Sequence, residues 1–289
     1  MPRDCLPSLL ARLWLLAGQF RLQRCHWAVL FIVVGYHQHE WLHIRIINFD
    51  DLLGAGRVEG VNGGTLVTQF FTVRHGQASF GADDYDKLSE LGWRQARWLG
   101  EHWRAEGLQF DRILCGDLRR HRETAQGLCQ GLKLDGVTPQ LLPQLNEFDF
   151  HALTRLYGQH NPQAVPGEGS PRAHYYRFLK SAMLAWSRGE VSPNESWQAF
   201  ERRIDEALSV IADAPRGSKT LVVSSGGAIA MMIRQVLGAH PETVTRLNMQ
   251  IRNTAVSHFF GSGEECSLHS FNHLPHMETP ERREYITYS

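Results

Sequence analysis

The sequence predicts a three-layer α/β/α sandwich with a mostly parallel central sheet. Short apolar, β-branched segments alternate with longer segments whose apolar residues recur at helical spacing, and glycine-containing polar motifs follow the ends of two strands. Strands that alternate with helices favour a parallel sheet covered on both faces. With 289 residues, of which 43% are hydrophobic and 21% charged, the composition is typical of a globular chain.

The regular alternation begins after about residue 66. Between the early and late elements, the proline-punctuated segment 151–215 is predicted to be a helical insertion over the active-site end of the sheet. The predicted strands cover 67–73, 110–115, 220–224, 251–261 and 267–272, and the predicted helices cover 88–106, 118–131 and 226–237.

The first 65 residues have a different pattern. They carry three tryptophans, a histidine cluster and a glycine-rich stretch, without a sustained period. We expect a boundary near Gly64. Residues 1–65 are then an atypical extension, either unstructured or the product of a mis-annotated start, and 66–289 form the main domain.

Charge, hydropathy and cysteine spacing exclude several classes of protein. The 30 basic residues balance the 30 acidic ones, so no strong field attracts nucleic acid or an anionic membrane. No apolar run approaches the roughly 20 residues of a membrane helix. The five cysteines are scattered and contain no C-x-x-C pair. We expect a cytoplasmic protein without nucleic-acid or membrane partners; the oligomeric state is not indicated.

The sequence does not support three functions that short motifs would indicate. The H-E-x-x-H pattern from His39 to His43 has no third zinc ligand or suitable scaffold, so we expect no metal. Val223 stands where a serine-hydrolase elbow needs its first glycine. A phosphate-binding G-x-x-x-x-G-K-[ST] loop is absent from the sequence, and no cofactor is expected.

Two motifs at strand ends favour phosphate binding. Arg74-His75-Gly76 follows the first strand, and Ser225-Gly226 lies between a later strand and its helix. The carboxyl ends of parallel strands meet at one edge of a sheet, where arginine and a helix N-terminus favour an anion and histidine offers a nucleophilic nitrogen. The structural alternative is a strand-end turn, with Ser225 as a helix cap.

Two further segments carry charged residues that suit the same chemistry. Arg119 and Arg120 open a predicted helix, where an acid is more usual, so an anion is expected near them; the alternative is a solvated basic face. Glu147 and Asp149 lie among phenylalanines, and burial there raises a carboxyl pKa towards that of a general acid. Either carboxylate, or neither, fits this role from the residues alone.

Taken in order, these segments resemble the histidine phosphatase superfamily, with its phosphoglycerate mutase-like fold. The resemblance covers about residue 67 to the end, including Asn253-Thr254 and the stretch from Phe271 to His276. It implies His75 as the nucleophile that becomes phosphohistidine and Glu147 as the acid. It also implies phosphate binding by Arg74 and by Arg120 rather than Arg119. We expect Ser225 and Gly226 to bind the phosphate with them.

One position departs from the family pattern. The family has a second histidine in a Ser-His-Gly-Gly strand end, and this sequence has Ser225 there. Losing one such donor costs about 10² to 10³ in rate, while phosphate binding suffers less. We therefore expect a metal-independent phosphatase for a small phosphorylated substrate. The alternatives are a weak or inactive protein that binds a phosphorylated ligand and, less favoured, a phosphoglycerate mutase-type phosphotransferase.

Overall fold

The computed structural model describes residues 36–37, 40–41, 67–79, 86–261 and 266–288. The chain divides into two compact units, 1–64 and 65–289. In the first, Tyr36–His37 pairs antiparallel with Glu40–Trp41. Glu40 of the H-E-x-x-H pattern thus lies in a strand, whereas a zinc protease places it on a helix. Both histidines of that pattern and the other expectations for 1–65 lie outside the described residues.

The second unit contains a six-stranded, mostly parallel sheet, which confirms the predicted α/β fold. The spatial order of the strands is β3-β2-β4-β1-β5-β6. The first four are parallel, β5 runs antiparallel to β1, and β6 runs antiparallel to β5. The strands are β1 Thr68–Arg74, β2 Arg112–Cys115, β3 Gln140–Leu141, β4 Lys219–Ser224, β5 Val256–Gly261 and β6 Cys266–His273.

Helices cover both faces of this sheet. They are α1 Glu90–Ala105, α2 Arg119–Leu132, α3 Phe150–His160, α4 Arg172–Ser187, α5 Trp197–Ala212, α6 Gly226–Val236 and α7 Glu242–Asn248. Across the described ranges, no helix combines the length and apolar character needed to cross a membrane.

The alternation of side chains along the strands builds two hydrophobic cores. Phe71 and Val223 face one side, where they pack with residues of α1 and α2. Their neighbours Phe70 and Val222 face the other side, with residues of α4, α5 and α6. Successive strand residues point to opposite faces, so these buried strands contribute apolar side chains to both helical layers.

The observed elements agree with the predicted ones except at three places. The predicted strand 251–261 is wrong over 251–255, where the backbone turns and Thr254 has a φ of 55°. This turn lets Thr254 N–H donate to the carbonyl oxygen of Arg74 at 3.0 Å. The short elements β3 and α7 were not predicted.

The segment predicted as an insertion contains helices of two kinds. Its last helix, α5, packs Phe200, Ile204 and Ile211 into the same core as β1, β2 and β4. This helix therefore belongs to the sandwich itself. In contrast, α3 buries only Leu153, so its other residues remain at least partly accessible.

We predict that residues 66–289 fold without the preceding segment, because both described hydrophobic cores are built from residues 70 onward. The shortened chain is expected to unfold in a single cooperative thermal transition, measured by circular dichroism and calorimetry. Aggregation of the shortened chain, or a broad transition without a calorimetric peak, would contradict the predicted boundary.

Candidate active site

Three loops meet at the carboxyl edge of the parallel strands. In the register of β1 and β4, Arg74 lies opposite Ser224, and His75 N–H donates to the Ser224 carbonyl at 2.9 Å. The loop after β2 joins them through Gly116 N–H, which donates to the Val223 carbonyl at 3.1 Å. The strand-end motifs thus lie side by side, and the N-termini of α2 and α6 point to the same place.

The His75 ring is held in one tautomer. Its Nδ1 lies 2.8 Å from the Gly76 carbonyl oxygen, which can only accept, so Nδ1 carries the proton and Nε2 a lone pair. The residue is 4% exposed. Burial lowers the pKa of His75 well below 6.5, and the neighbouring Arg120, Arg74 and His121 lower it further. A neutral imidazole with a free Nε2 is a nucleophile.

The loop that carries His75 is fixed from several sides. Gly76 N–H donates to Thr124 Oγ1 at 3.0 Å, and Asn253 Nδ2 donates to the His75 carbonyl at 3.0 Å. A Cβ on Gly76 would stand 2.5 Å from the Gly92 carbonyl oxygen, so a larger residue would push the loop away from α1. These contacts hold the loop in place, and none of them involves Nε2 of His75.

Two guanidinium groups flank His75. Arg74 lies beside Gly226 and donates through Nη1 to the carbonyls of Ile251 and Tyr288. Arg120 is 7% exposed and pairs with Asp86 at 2.6 Å. Its buried Nε has no hydrogen-bond partner among the described residues. Arg120 thus offers a buried donor on the site side of α2.

The two neighbouring arginines of α2 have different surroundings. The Arg119 side chain is 50% exposed and pairs with Glu123 one turn later. Only Arg120 is buried in the cluster with His75, so the site contains one of the two.

Ser225 occupies the N-cap position of α6 but does not use its side chain as a cap. Its Oγ lies 2.7 Å from Nε2 of His121 and 3.4 Å from Nη2 of Arg120. The residue is completely buried. A serine cap bonds a backbone N–H of its own helix, so the hydroxyl here serves the side-chain cluster instead.

Glu147 reaches the same helix N-terminus from the loop before α3. Its Oε2 accepts from Gly227 N–H at 2.9 Å, and its Oε1 from Phe148 N–H at 3.2 Å. Burial raises the pKa of this carboxyl, opposed by the Gly227 N–H, the Arg120 charge, the Phe148 N–H and Arg74. A carboxyl with a raised pKa can act as a general acid at higher pH than an ordinary one.

Asp149 lies outside this cluster. It is exposed, and its Oδ1 accepts from Ala152 N–H at 2.8 Å as the cap of α3. Its carboxylate therefore has a structural partner, whereas Glu147 lies with the arginines.

Residues that the sequence analysis did not single out hold the Glu147 loop. Asn146 Oδ1 accepts from Asp117 N–H at 2.9 Å, and Arg203 of α5 donates to the Asn146 carbonyl at 2.8 Å. Arg203 in turn forms an ion pair with Glu195, with 2.8 Å between Nε and Oε1. The contacts of Asn146 join parts of the chain more than 25 residues apart, so no local sequence signal points to them.

His121 is the other residue that the sequence analysis did not assign. It is fully buried, and its ring centre lies 5.9 Å from that of His75. Burial and the Arg120 charge lower its pKa well below 6.5. The sequence placed it beside Arg120 but gave no sign that it, among 15 histidines, would be buried in the site.

Within the described ranges, no three histidine, cysteine, aspartate or glutamate residues are grouped to hold a metal ion. The polar groups gathered at this edge include the guanidinium groups of Arg74 and Arg120 and the backbone N–H groups that begin α6. Arginine donors and a helix N-terminus suit a tetrahedral oxyanion.

Comparison with known proteins gives a consistent result. Residues 70–274 match the histidine phosphatase superfamily (branch 1), which is more than half of the chain. The chain belongs to this superfamily. It is 28% identical over 195 residues to the "probable phosphoglycerate mutase GpmB" of Cronobacter sakazakii, and 29% over 196 residues to that of Yersinia enterocolitica. Each match covers 65% of this chain and 83% of the relative.

Solved structures share the fold. The phosphoglycerate mutase of Bacillus anthracis has a TM-score of 0.54 at 17% identity, covering 73% of this chain and 96% of that one. The phosphoserine phosphatase of Entamoeba histolytica, as a histidine-to-alanine variant in complex with phosphoserine, has a TM-score of 0.51 at 18% identity, covering 73% and 99%. Both phosphatases and mutases are therefore built on this architecture.

We predict that Gly227→Ala destabilises the protein by about 1–3 kcal/mol, because the new Cβ would meet Glu147 Oε1 and would stand 2.6 Å from a Phe148 ring carbon. Thermal unfolding measures the effect, at about 2–4 °C per kcal/mol for a domain of this size. Gly167→Ala is the matched control, since its nearest neighbour is 3.9 Å away. Equal unfolding temperatures for the two variants would contradict the described packing of Glu147.

Proposed function

We propose that this chain is a metal-independent phosphomonoester phosphatase of the cytoplasm that acts through a phosphohistidine on a small phosphorylated substrate. The observation that carries the proposal is the buried, neutral His75, whose Nε2 keeps a lone pair beside two guanidinium groups and a helix N-terminus. The nucleophile, the anion-binding donors and an acid are all supplied by the chain's own side chains and backbone.

In the first step, His75 Nε2 attacks phosphorus in line with the leaving oxygen. The N–P bond forms as the P–O bond to the alcohol breaks. The phosphoryl oxygens are held by Arg74, Arg120, Ser225 and the Gly226 end of α6. Glu147 gives its proton to the departing oxygen, so the alcohol leaves neutral and Glu147 becomes a carboxylate.

In the second step, water attacks phosphorus and breaks the N–P bond. The Glu147 carboxylate takes a proton from the attacking water, which restores the acid. Inorganic phosphate leaves, and His75 returns to its neutral form with Nδ1–H on the Gly76 carbonyl. No proton or electron is left over, so the cycle needs only substrate and water.

Two other functions are each favoured by one observation. Ser225, in place of the second histidine that the resemblance implies, favours a protein that binds a phosphorylated ligand and turns it over slowly. The names of the curated relatives favour a phosphoglycerate mutase, in which the phosphohistidine returns its phosphoryl group to another hydroxyl. A buried nucleophile beside a raised-pKa carboxyl favours hydrolysis over binding alone.

The first test compares wild type with His75→Ala on an aryl phosphate, with EDTA in both samples. Wild type is expected to release inorganic phosphate in the presence of EDTA. His75→Ala is expected to release it more slowly, by on the order of 10³-fold or more. Equal rates for the two proteins would sink the proposal. Activity lost in EDTA and restored by a divalent ion would contradict metal independence.

A second assay separates hydrolysis from phosphoryl return. Wild type is incubated with 3-phosphoglycerate, and inorganic phosphate and 2-phosphoglycerate are both measured. A phosphatase releases phosphate from phosphate esters without forming the isomer. Rapid isomerisation with little phosphate release would establish the mutase instead.

The pH dependence tests the acid. On an alkyl phosphate, whose alkoxide needs a proton to leave, kcat/KM is expected to fall as pH rises through the raised pKa of Glu147, at higher pH than an ordinary carboxyl near 4.5 would give. Glu147→Gln is expected to lose this decline and to lower kcat/KM by about 10² to 10⁴. Asp149→Asn is the matched control. A decline that persists in Glu147→Gln and disappears in Asp149→Asn would assign the acid to Asp149.

A further inference from the structure

His121 is a buried imidazole at the centre of the site to which the mechanism above gives no role. It lies in the first turn of α2, is completely buried, and places Nε2 2.7 Å from Ser225 Oγ. Its ring centre is 5.9 Å from that of the nucleophile His75. Burying an imidazole costs free energy unless its polar atoms are used, so this contact calls for a physical account.

The proton positions follow from the partners. Within the described part of the chain, His121 Nδ1 is buried and has no hydrogen-bond partner. A proton on Nδ1 would be a buried N–H without an acceptor, which is rare in folded proteins. A proton on Nε2 has an acceptor, because Nε2–H can donate a hydrogen bond to Ser225 Oγ. Since burial and Arg120 lower the pKa of His121, the ring is neutral and carries that one proton.

This arrangement fixes the direction of the Ser225 hydroxyl. The Arg120 guanidinium has only hydrogen-bond donors. Its Nη2, 3.4 Å from Ser225 Oγ, therefore also donates a hydrogen bond to that oxygen. Both lone pairs of Ser225 Oγ then accept hydrogen bonds. The hydroxyl O–H is left to donate to a third group, such as a phosphoryl oxygen. The backbone of α6 does not compete, because Ser225 makes no side-chain cap bond.

We propose that His121 is a positioning residue for phosphoryl transfer, which acts through Ser225 by holding its hydroxyl as a donor to the phosphoryl oxygens. The inference rests on the proposed function. A serine alone is a short donor that rotates freely, whereas a hydroxyl that accepts from two buried side chains is oriented before substrate arrives. Such preorganised donors stabilise the charge that develops in the transition state.

The opposite polarity of the same contact has a different consequence. If Ser225 O–H donated to His121 Nε2, His121 could act as a general base that takes the hydroxyl proton. Ser225 would then be the nucleophile. Turnover would then vanish in Ser225→Ala and survive in His75→Ala. This result would overturn the proposal.

The experiment measures kcat and KM for an aryl phosphate with the full chain. The variants are His121→Leu, Ser225→Ala, their combination, and His121→Gln, which keeps an N–H donor. His258→Leu is the matched control, because it removes a half-buried imidazole from β5 that takes no part in the site. The thermal midpoint of each variant shows that it is folded.

We expect Ser225→Ala to lower kcat by about 10²-fold, with a much smaller change in KM. His121→Leu is expected to lower kcat by about 10-fold to 10²-fold and His121→Gln by less. The combined variant should equal Ser225→Ala alone, because a residue that acts only through Ser225 has nothing left to position. A merely structural role would lower kcat further in the combined variant and would overturn the proposal, as would an unchanged kcat in His121→Leu.

Orthovanadate affinity, measured by calorimetry on the same proteins, separates this inference from the proposed function. If wild type lacks turnover but binds orthovanadate, the phosphatase proposal fails, and a non-additive loss of affinity in the same variants still supports the role of His121. Equal affinities for wild type and His121→Leu would overturn that role. A wild type that neither turns over nor binds orthovanadate would overturn both proposals.

Discussion

Positive charge buried beside imidazoles is the constraint on which the site depends. Arg74 and Arg120 add to the effect of burial in lowering the pKa of His75, so this residue stays neutral and keeps its Nε2 lone pair. The same charges attract the Glu147 carboxylate, but burial is the larger effect and raises its pKa. The lowered pKa of His75 and the raised pKa of Glu147 thus both follow from burial in one cluster that contains two arginines.

The cluster keeps its geometry because distant parts of the chain meet around it. Asn253 donates through Nδ2 to the His75 carbonyl, and its Oδ1 accepts from Thr287 Oγ1 at 2.8 Å. Gln95 of α1 donates to the Tyr285 carbonyl at 2.8 Å. The C-terminal segment therefore joins α1 to the loop that carries His75. Such supporting contacts hold reactive groups within the narrow geometry that catalysis requires.

Local sequence patterns predicted the elements that depend on local physics. The apolar runs of β1 and β4 and the helical period of α1 are visible because burial selects residue types along each element. The strand-end motifs are visible for a related reason, since parallel strands expose their carboxyl ends at one edge. These rules predict that His75 and Ser225 lie at one edge of the sheet, whereas the choice of Arg120 over Arg119 follows only from the resemblance to the family.

The remaining features depend on contacts between distant residues. Residues 251–255 continue into β5 in the sequence and were predicted to be part of that strand, but the chain turns there, and Thr254 N–H donates to the carbonyl oxygens of Arg74 and His75. The burial of His121 depends on Ser225, which lies 104 residues later in the chain. Arg203 supports the Glu147 loop from the far end of the segment predicted as an insertion. No periodicity records such pairings.

The position of the transferred phosphoryl group tests the account most directly. Wild type is mixed with an aryl phosphate, quenched in alkali within milliseconds, where an N–P bond survives, and digested for peptide mass spectrometry. The account predicts a phosphoryl group on His75, present during turnover and gone when substrate is exhausted. Turnover with the label on Ser225, or with no labelled residue, would contradict it.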